Sequence, residues 1–580
     1  MFRIALAFVV GSALAVALAA GGARLRSVFR LPVRPGLRLP VDLLLGSWVL
    51  ATTVVLLGLA RLWFPSLLVG AAAALAAGGR WRRAGWRCEL LALPALGALV
   101  ALPVALAEPF FYDALVYHLG LPWQALLERG LHAHPEDLFA AFPPLAQLLS
   151  AAPLAVGLDR VPAVLHWWSF VAAGVATGGL ARSLNAPPWA AGLASLCLPL
   201  LPAQVLVPGL PAAEGWAIAG VLAALALALS PRVPRGGALL AGVLVGIASA
   251  ARLQGIPWSL MVLTVLWLRE RRVCTLLWGG AGWLAGSAPW WLKNLVLLGD
   301  PTAPILWRRE GVETLWRDGG SMLLAGPGTL AHSLGDTLAP HAAYLAPLAL
   351  AAVLAVVSRR QRRLGLAGVV AVGGVLAWGL TGSLPRFLGP TLGVLLALAA
   401  AAARTTFGRW ASSLALGVTA AAGLVFSLGE LRRVGGTAVL TRPAATDRAW
   451  IPDNPLPAFA AARGLPTAAR VLFVGEPRGF SFPRRFVAPS QHDVSPLRAI
   501  LEAAHGPGEA MATLRGQGFT HLLVNQGELA RLAGSYPVAP WRGAVGWRRW
   551  SAFVSALGPP KVQVGAVQIF ALQPGNAPAD

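Results

Sequence analysis

Charge is scarce in this sequence. Only 12% of its 580 residues are Asp, Glu, Lys or Arg, while 57% are apolar. A soluble chain of this size needs a water-facing shell much richer in charge, so that class is excluded. Acidic residues are the scarcer sign, 24 against 47 basic, giving a formal net charge of +23. The excess does not indicate nucleic acid, because the arginines fall mainly in short clusters between apolar runs, where they set membrane topology. Cysteine is nearly absent. Cys88, Cys197 and Cys274 lie in or beside apolar segments without metal-ligand spacing, which excludes a disulfide framework and a cysteine-based metal site. Glycine and proline are frequent but aperiodic, which excludes collagen. No Asp-x-Asp motif occurs, which disfavours a soluble nucleotide-sugar transferase.

What the sequence has in quantity is long apolar runs, and these predict an α-helical multi-pass membrane protein of about 12–14 spans. The runs lie at 4–21, 41–60, 65–79, 89–107, 161–181, 187–206, 212–229, 237–251, 255–268, 273–291, 338–357, 364–384, 387–403 and 411–428. The apolar stretch 145–158 is short and holds Pro153 and Gly157, so it reads as a surface or re-entrant helix. Basic clusters mark the cytoplasmic loops: Arg24 to Arg38, Arg80 to Arg87, Arg269 to Arg272, Arg359 to Arg363, and Arg404 with Arg409. Residues 108–160, 292–337 and 429–580 then face away from the cytoplasm. The first span has features of a signal peptide, but the five arginines after it favour a retained helix.

The chain divides into N-terminal spans (1–88), a transmembrane region (89–428) and a soluble α/β tail (441–580). In the tail, Val471–Val474, Thr520–Asn525 and Val562–Leu572 read as strands, and Pro496–Leu514 as a helix.

Chemistry concentrates in the loop Glu108-Pro-Phe-Phe-Tyr-Asp113-Ala-Leu-Val-Tyr117-His118. On a helix, Asp113 and Tyr117 share a face that His118 borders. The carboxylate is suited to deprotonating an acceptor hydroxyl beside a lipid-borne substrate. Further ionisable residues sit at the same membrane side: Glu214, Arg252, Lys293 and Arg386. Charge at membrane depth is expensive and serves a partner, a cavity or a ligand. Three cations and two carboxylates suit a polyprenyl phosphate-sugar, although snorkelling also accounts for Lys293 and Arg386.

Taken in order, Tyr112-Asp-Ala-Leu-Val-Tyr-His118, Phe142-Pro-Pro144, Pro289-Trp-Trp-Leu-Lys-Asn294, Gly299-Asp-Pro301, Pro304 and Arg386-Phe-Leu-Gly-Pro390 resemble bacterial GT-C glycosyltransferases. The nearest group is that of protein O-mannosyltransferases and lipid A aminoarabinose transferases. The resemblance covers about 89–405. It implies a transferase in the cell membrane that takes a sugar from a polyprenyl-phosphate donor, with a glycan, lipid or protein as acceptor. It implies Asp113 as the catalytic base or acceptor-orienting residue; Tyr117, His118, Glu214, Arg252, Lys293, Asn294 and Arg386 are the expected substrate-binding residues. Ala114 stands where some members carry a second acidic residue, and Glu214 where Asp is more usual, which leaves the acceptor and a divalent metal open. A flippase or transporter and a non-catalytic membrane scaffold are the alternative readings. The first often shows internal repeats or paired broken helices; no convincing repeat is evident here, and a large soluble tail is not typical of it.

Overall fold

The computed structural model describes residues 1–31, 33–79, 85–233, 236–307, 335, 338–359, 361–380, 384–443 and 451–572. Arg80, Arg82, Arg83 and Arg360, residues 308–334 of the second expected loop, and the tail segments 444–450 and 573–580 lie outside the described residues.

The chain is a multi-pass helical membrane protein with a sheet-containing C-terminal region. Among the described residues, 7 helices are long and apolar enough to cross a bilayer, or 8 if the bent pair Pro188–Leu200 and Pro202–Gly209 is one span. Outward-facing side chains such as Leu277, Val369, Val372, Leu414 and Val425 are exposed, as helices facing hydrocarbon require. Several expected spans are shorter apolar helices: Pro65–Ala77, Glu214–Ala228 and Gly237–Ala251 have 13, 15 and 15 residues. The stretch expected to lie on a surface, Leu145–Ala155, is too short to span but is buried along its length. It packs between the Arg38–Leu59 and Gly120–Leu127 helices, so the surface placement is corrected.

One helix pairing is a glycine seam where backbones come into contact. Gly237–Ala251 lies against Val273–Leu298, and a Cβ at Gly242 would stand 2.1 Å from the Gly279 carbonyl oxygen. A Cβ at Gly286 would stand 2.2 Å from that of Val243. Small residues let membrane helices approach to backbone contact, where dispersion replaces the hydrophobic drive that lipid does not supply. The seam sets the separation of Arg252, just past one helix, from Lys293 and Asn294 near the end of the other.

Five strands form one sheet in the order β2–β1–β3–β5–β4. They are β1 Arg470–Val474, β2 Arg485–Val487, β3 His521–Asn525, β4 Val562–Val564 and β5 Val567–Ala571. The strands β2, β1 and β3 are parallel, and β5 and β4 close the far edge antiparallel. The third expected strand is therefore a hairpin, and β2 was not foreseen. The expected helix 496–514 is two, Pro496–Ala503 and Pro507–Gly516, broken at Gly506-Pro507. Alternation divides the sheet. Leu472, Val474, Leu522 and Val524 face the domain's own helices. Val471, Phe473 and Leu523 face the other way, in a cluster that Trp123 and Leu127 of the first loop join.

Candidate functional site

Arg252, Glu214 and Arg386 come together because three helices begin or end at one level. Ala251 ends its helix and Arg252 is extended, at φ −153° and ψ 146°, before Gly255–Glu270 begins. Glu214 opens the Glu214–Ala228 helix, where the N-terminal dipole favours a carboxylate. Arg386 sits in the turn Pro385–Leu388 that leads into Gly389–Ala402, and its carbonyl accepts from the Gln204 amide at 2.7 Å.

The ion pairs form a chain. The Arg252 guanidinium pairs with Glu214 Oε1. Arg386 Nε lies 3.4 Å from the same oxygen, and Arg386 Nη2 donates to Asp113 Oδ2 at 2.7 Å. Glu214 is 3% exposed, while Asp113 and Arg386 are each 21% exposed and reach the open side. Phe387 lies under Arg252 with its ring centroid 4.3 Å from the guanidinium carbon, and Phe111 lies 5.4 Å from that of Arg386. The buried Nε of Arg386 has no hydrogen-bond acceptor among the described residues. A buried donor without an acceptor costs free energy, and an anion brought to this point would relieve it.

Beside the cluster is a small, part-open recess lined by the charged Glu214, Arg252 and Arg386 and by the apolar Ile218, Val221 and Trp258. A charged rim over an apolar wall can take an amphiphile with an anionic head.

The first loop differs locally from a regular helix. Ala114–His118 is a π-turn, closed by the Leu119 N–H on the Ala114 carbonyl at 2.8 Å. Such turns are rare and frequently occur at functional sites. The helix is interrupted at Leu119, and Pro122 lies inside the first turn of the next helix, Gly120–Leu127. Tyr117 and His118 are buried. The Tyr117 ring packs tilted against Phe139, with centroids 4.6 Å apart. Burial, then the charge of Asp113, pushes its phenol well above the ordinary range. Burial also holds His118 down to about 3, so its imidazole is neutral.

Lys293 and Asn294 are placed elsewhere. Lys293 donates to the Ala140 carbonyl, and Asn294 donates to the carbonyls of Ala141 at 2.8 Å and Ala303 at 2.6 Å. Trp290 adds a bond to Ala303 at 3.0 Å. These side chains tie the Phe139–Pro143 segment to the turn at Gly299–Pro304. No ion pair joins Lys293 to Asp113 or Glu214 among the described residues, and it faces a second cavity with His132, His134 and Gln147. Among the described residues no group of three or more His, Cys, Asp or Glu side chains is placed to hold a metal ion.

His166 was missed. Its Nε2 accepts from the Gly215 N–H at 3.1 Å and stands 3.9 Å from Glu214 Oε2. The signal was present as a lone imidazole in the apolar run 161–181.

Asp137, on the same loop, gives a pH prediction. It is 6% exposed, and burial, then the charge of Asp493, raises its pKa from 3.8 to about 7. Between about pH 4 and pH 7 the unfolded chain has released a proton that the folded chain keeps, so stability falls as pH rises. Asp137→Asn keeps the acceptor for the Phe139 N–H and should flatten that slope and raise Tm at pH 8. Tryptophan-monitored melting across the range checks this, and an unchanged slope rejects it.

The fold is that of the GT-C glycosyltransferases. In particular, ArnT from Cupriavidus metallidurans bound to undecaprenyl phosphate is similar at a TM-score of 0.52 and 15% identity, over 85% of this chain and 99% of that one. Its apo structure is similar at 0.50 and 15% identity, over 84% and 98%. No family model matches the chain, and no curated protein matches its sequence.

Proposed function

We propose that this chain is a cell-membrane glycosyltransferase that moves a sugar from a polyprenyl-phosphate donor to an envelope acceptor on the extracytoplasmic face. The observation that carries the reading is the chain Asp113–Arg386–Glu214–Arg252 at the mouth of an apolar cavity, with a buried guanidinium N–H left unsatisfied. Arg386 and Arg252 hold the donor phosphate, and the apolar wall takes the first isoprene units. The acceptor hydroxyl oxygen attacks the anomeric carbon of the donor sugar. The bond from that carbon to the phosphate oxygen breaks, and its electron pair leaves with polyprenyl phosphate. The hydroxyl proton passes to Asp113. Because Arg386 is shared, a phosphate that draws it away leaves Asp113 Oδ2 to the acceptor. Tyr117 and neutral His118 are buried within range of the charges of Glu214, Arg252 and Arg386. The binding of undecaprenyl phosphate by the ArnT structure supports the donor class.

The test has two arms. Purified chain should bind undecaprenyl phosphate, and mass spectrometry of envelope glycans and lipids should show a sugar lost on deleting the gene. No binding and no missing sugar would reject the reading. A reporter fused after Leu428, or within Glu128–Asp137, should be active only outside the cytoplasm. Cytoplasmic activity at either point overturns the orientation.

A further inference from the structure

Asp113 is gripped on both sides by the C-terminal domain. One residue before it, the Tyr112 hydroxyl donates to Glu528 Oε1 at 2.8 Å. Two residues after it, the Leu115 carbonyl accepts from the Phe480 N–H at 3.1 Å. Three more bonds join the same loop to the same domain. Trp123 Nε1 donates to the Phe482 carbonyl at 2.7 Å, Gln124 to that of Phe486 at 3.1 Å, and the Leu138 N–H to Asp493 at 2.7 Å.

The Tyr112 contact is built from buried charge. Glu528 and Glu476 are fully buried and Arg478 is 1% exposed. Arg478 binds both oxygens of Glu476, at 2.6 and 2.7 Å, and stands 3.6 Å from Glu528 Oε2. Asn525 donates to Glu476 at 2.7 Å, and its own Oδ1 accepts from the Glu528 N–H at 3.2 Å. Arg531 donates to both Glu528 oxygens, at 2.7 and 2.6 Å. Arg478 and Arg531 each place a guanidinium carbon 5.4 Å from the centre of the Tyr112 ring. Three of the four carboxylate oxygens accept two hydrogen bonds each, counting the Arg478 N–H on Glu476 Oε1 at 2.9 Å, and Glu528 Oε2 accepts one from Arg531.

Buried ion networks are poor sources of stability, since desolvation offsets their attraction, and their best-attested use is to fix register. An interface needed only for cohesion would be served by apolar packing, which this domain already has on the same sheet face through Phe473, Phe482 and Phe486. We infer that the C-terminal domain sets the position of Asp113, with Tyr112 as a positioning residue that Glu528 and Arg478 hold in register. The inference rests on the proposed function, in which Asp113 receives the acceptor proton. The π-turn fits it, because a widened turn directly after Asp113 is held at Leu115 from outside the loop.

The test uses full-length chain in lipid, with three variants. Tyr112→Phe removes one hydroxyl and leaves Glu528 with both Arg531 bonds, so the domain keeps its fold. Glu528→Gln keeps an acceptor for the hydroxyl. Asp113→Asn reports on the proposed function itself. The readouts are envelope glycan product by mass spectrometry, the Kd for undecaprenyl phosphate, and hydrogen–deuterium exchange of the 110–120 peptide. Tyr112→Phe should lower product at least tenfold, leave the undecaprenyl phosphate Kd within twofold, and raise exchange in the 110–120 peptide with Tm unchanged. Glu528→Gln should keep most of the product. A Tyr112→Phe protein that makes wild-type product where Asp113→Asn makes none overturns the positioning role and leaves the function standing. Wild-type product from Asp113→Asn overturns the function. In that case unchanged exchange at 110–120 in Tyr112→Phe also overturns the grip, and raised exchange upholds it as a device of position alone.

Discussion

Asp113→Asn should bind undecaprenyl phosphate as the parent does and transfer sugar about 10²–10⁴-fold more slowly, the usual contribution of a general base. The substitution is conservative in shape. An asparagine Oδ1 can still accept from Arg386 Nη2, now bonded to Asp113 Oδ2 at 2.7 Å, so the arginine need not move. What disappears is the capacity to take the acceptor proton. Single-turnover transfer and equilibrium binding of undecaprenyl phosphate, measured on one preparation, separate the two effects. A wild-type transfer rate would remove Asp113 from the chemistry.

Arg386→Ala should do the reverse and lose the donor. A phosphate deprived of one charge-assisted hydrogen bond forfeits about 1.5–3 kcal/mol, on the order of 10- to 150-fold in Kd. Arg386 is the better probe than Arg252. Glu214 is 3% exposed and keeps its Arg252 partner when Arg386 is removed, whereas removing Arg252 leaves, as its arginine contact, the 3.4 Å approach of Arg386 Nε. A buried carboxylate without its closest partner costs about 3–5 kcal/mol of stability, so Arg252→Ala should weaken binding with a falling Tm, which confounds the reading. Arg386→Lys should recover little, because a point charge cannot span Asp113 and Glu214 as a guanidinium fork does. Parent-like binding by Arg386→Ala and Arg252→Ala alike would place the phosphate elsewhere.

The members of the site were legible as charges in apolar surroundings, but their pairing was not. Asp113 and Arg386 are 273 residues apart, and the sequence carries no sign that one meets the other. Lys293 read as a phosphate ligand because a cation at a helix end looks the same whether it awaits a ligand or holds a carbonyl. Its actual partner is 153 residues away. The π-turn at Ala114–His118 lies beyond a pattern argument that assumes 3.6 residues per turn. In the tail, the strands with clear apolar runs were readable, whereas β2, three residues between Pro483 and Pro489, is too short to leave a period. Helices such as Gly237–Ala251 read as full spans because composition reports apolarity and not where the backbone turns.

The glycine seam between Gly237–Ala251 and Val273–Leu298 has a consequence for how Arg252 can be adjusted. Where two backbones touch, no rotamer layer lies between them to yield. Assembly of the seam freezes almost no side-chain entropy, and in a bilayer the helices are formed before they meet, so the junction is both inexpensive and stiff. On the proposed function, the Arg252 end of the phosphate cradle is therefore the fixed jaw. Accommodation to donors of different headgroup size then falls to Arg386, whose turn is held by hydrogen bonds from Gln204 to its own carbonyl and from Trp378 to that of Leu384.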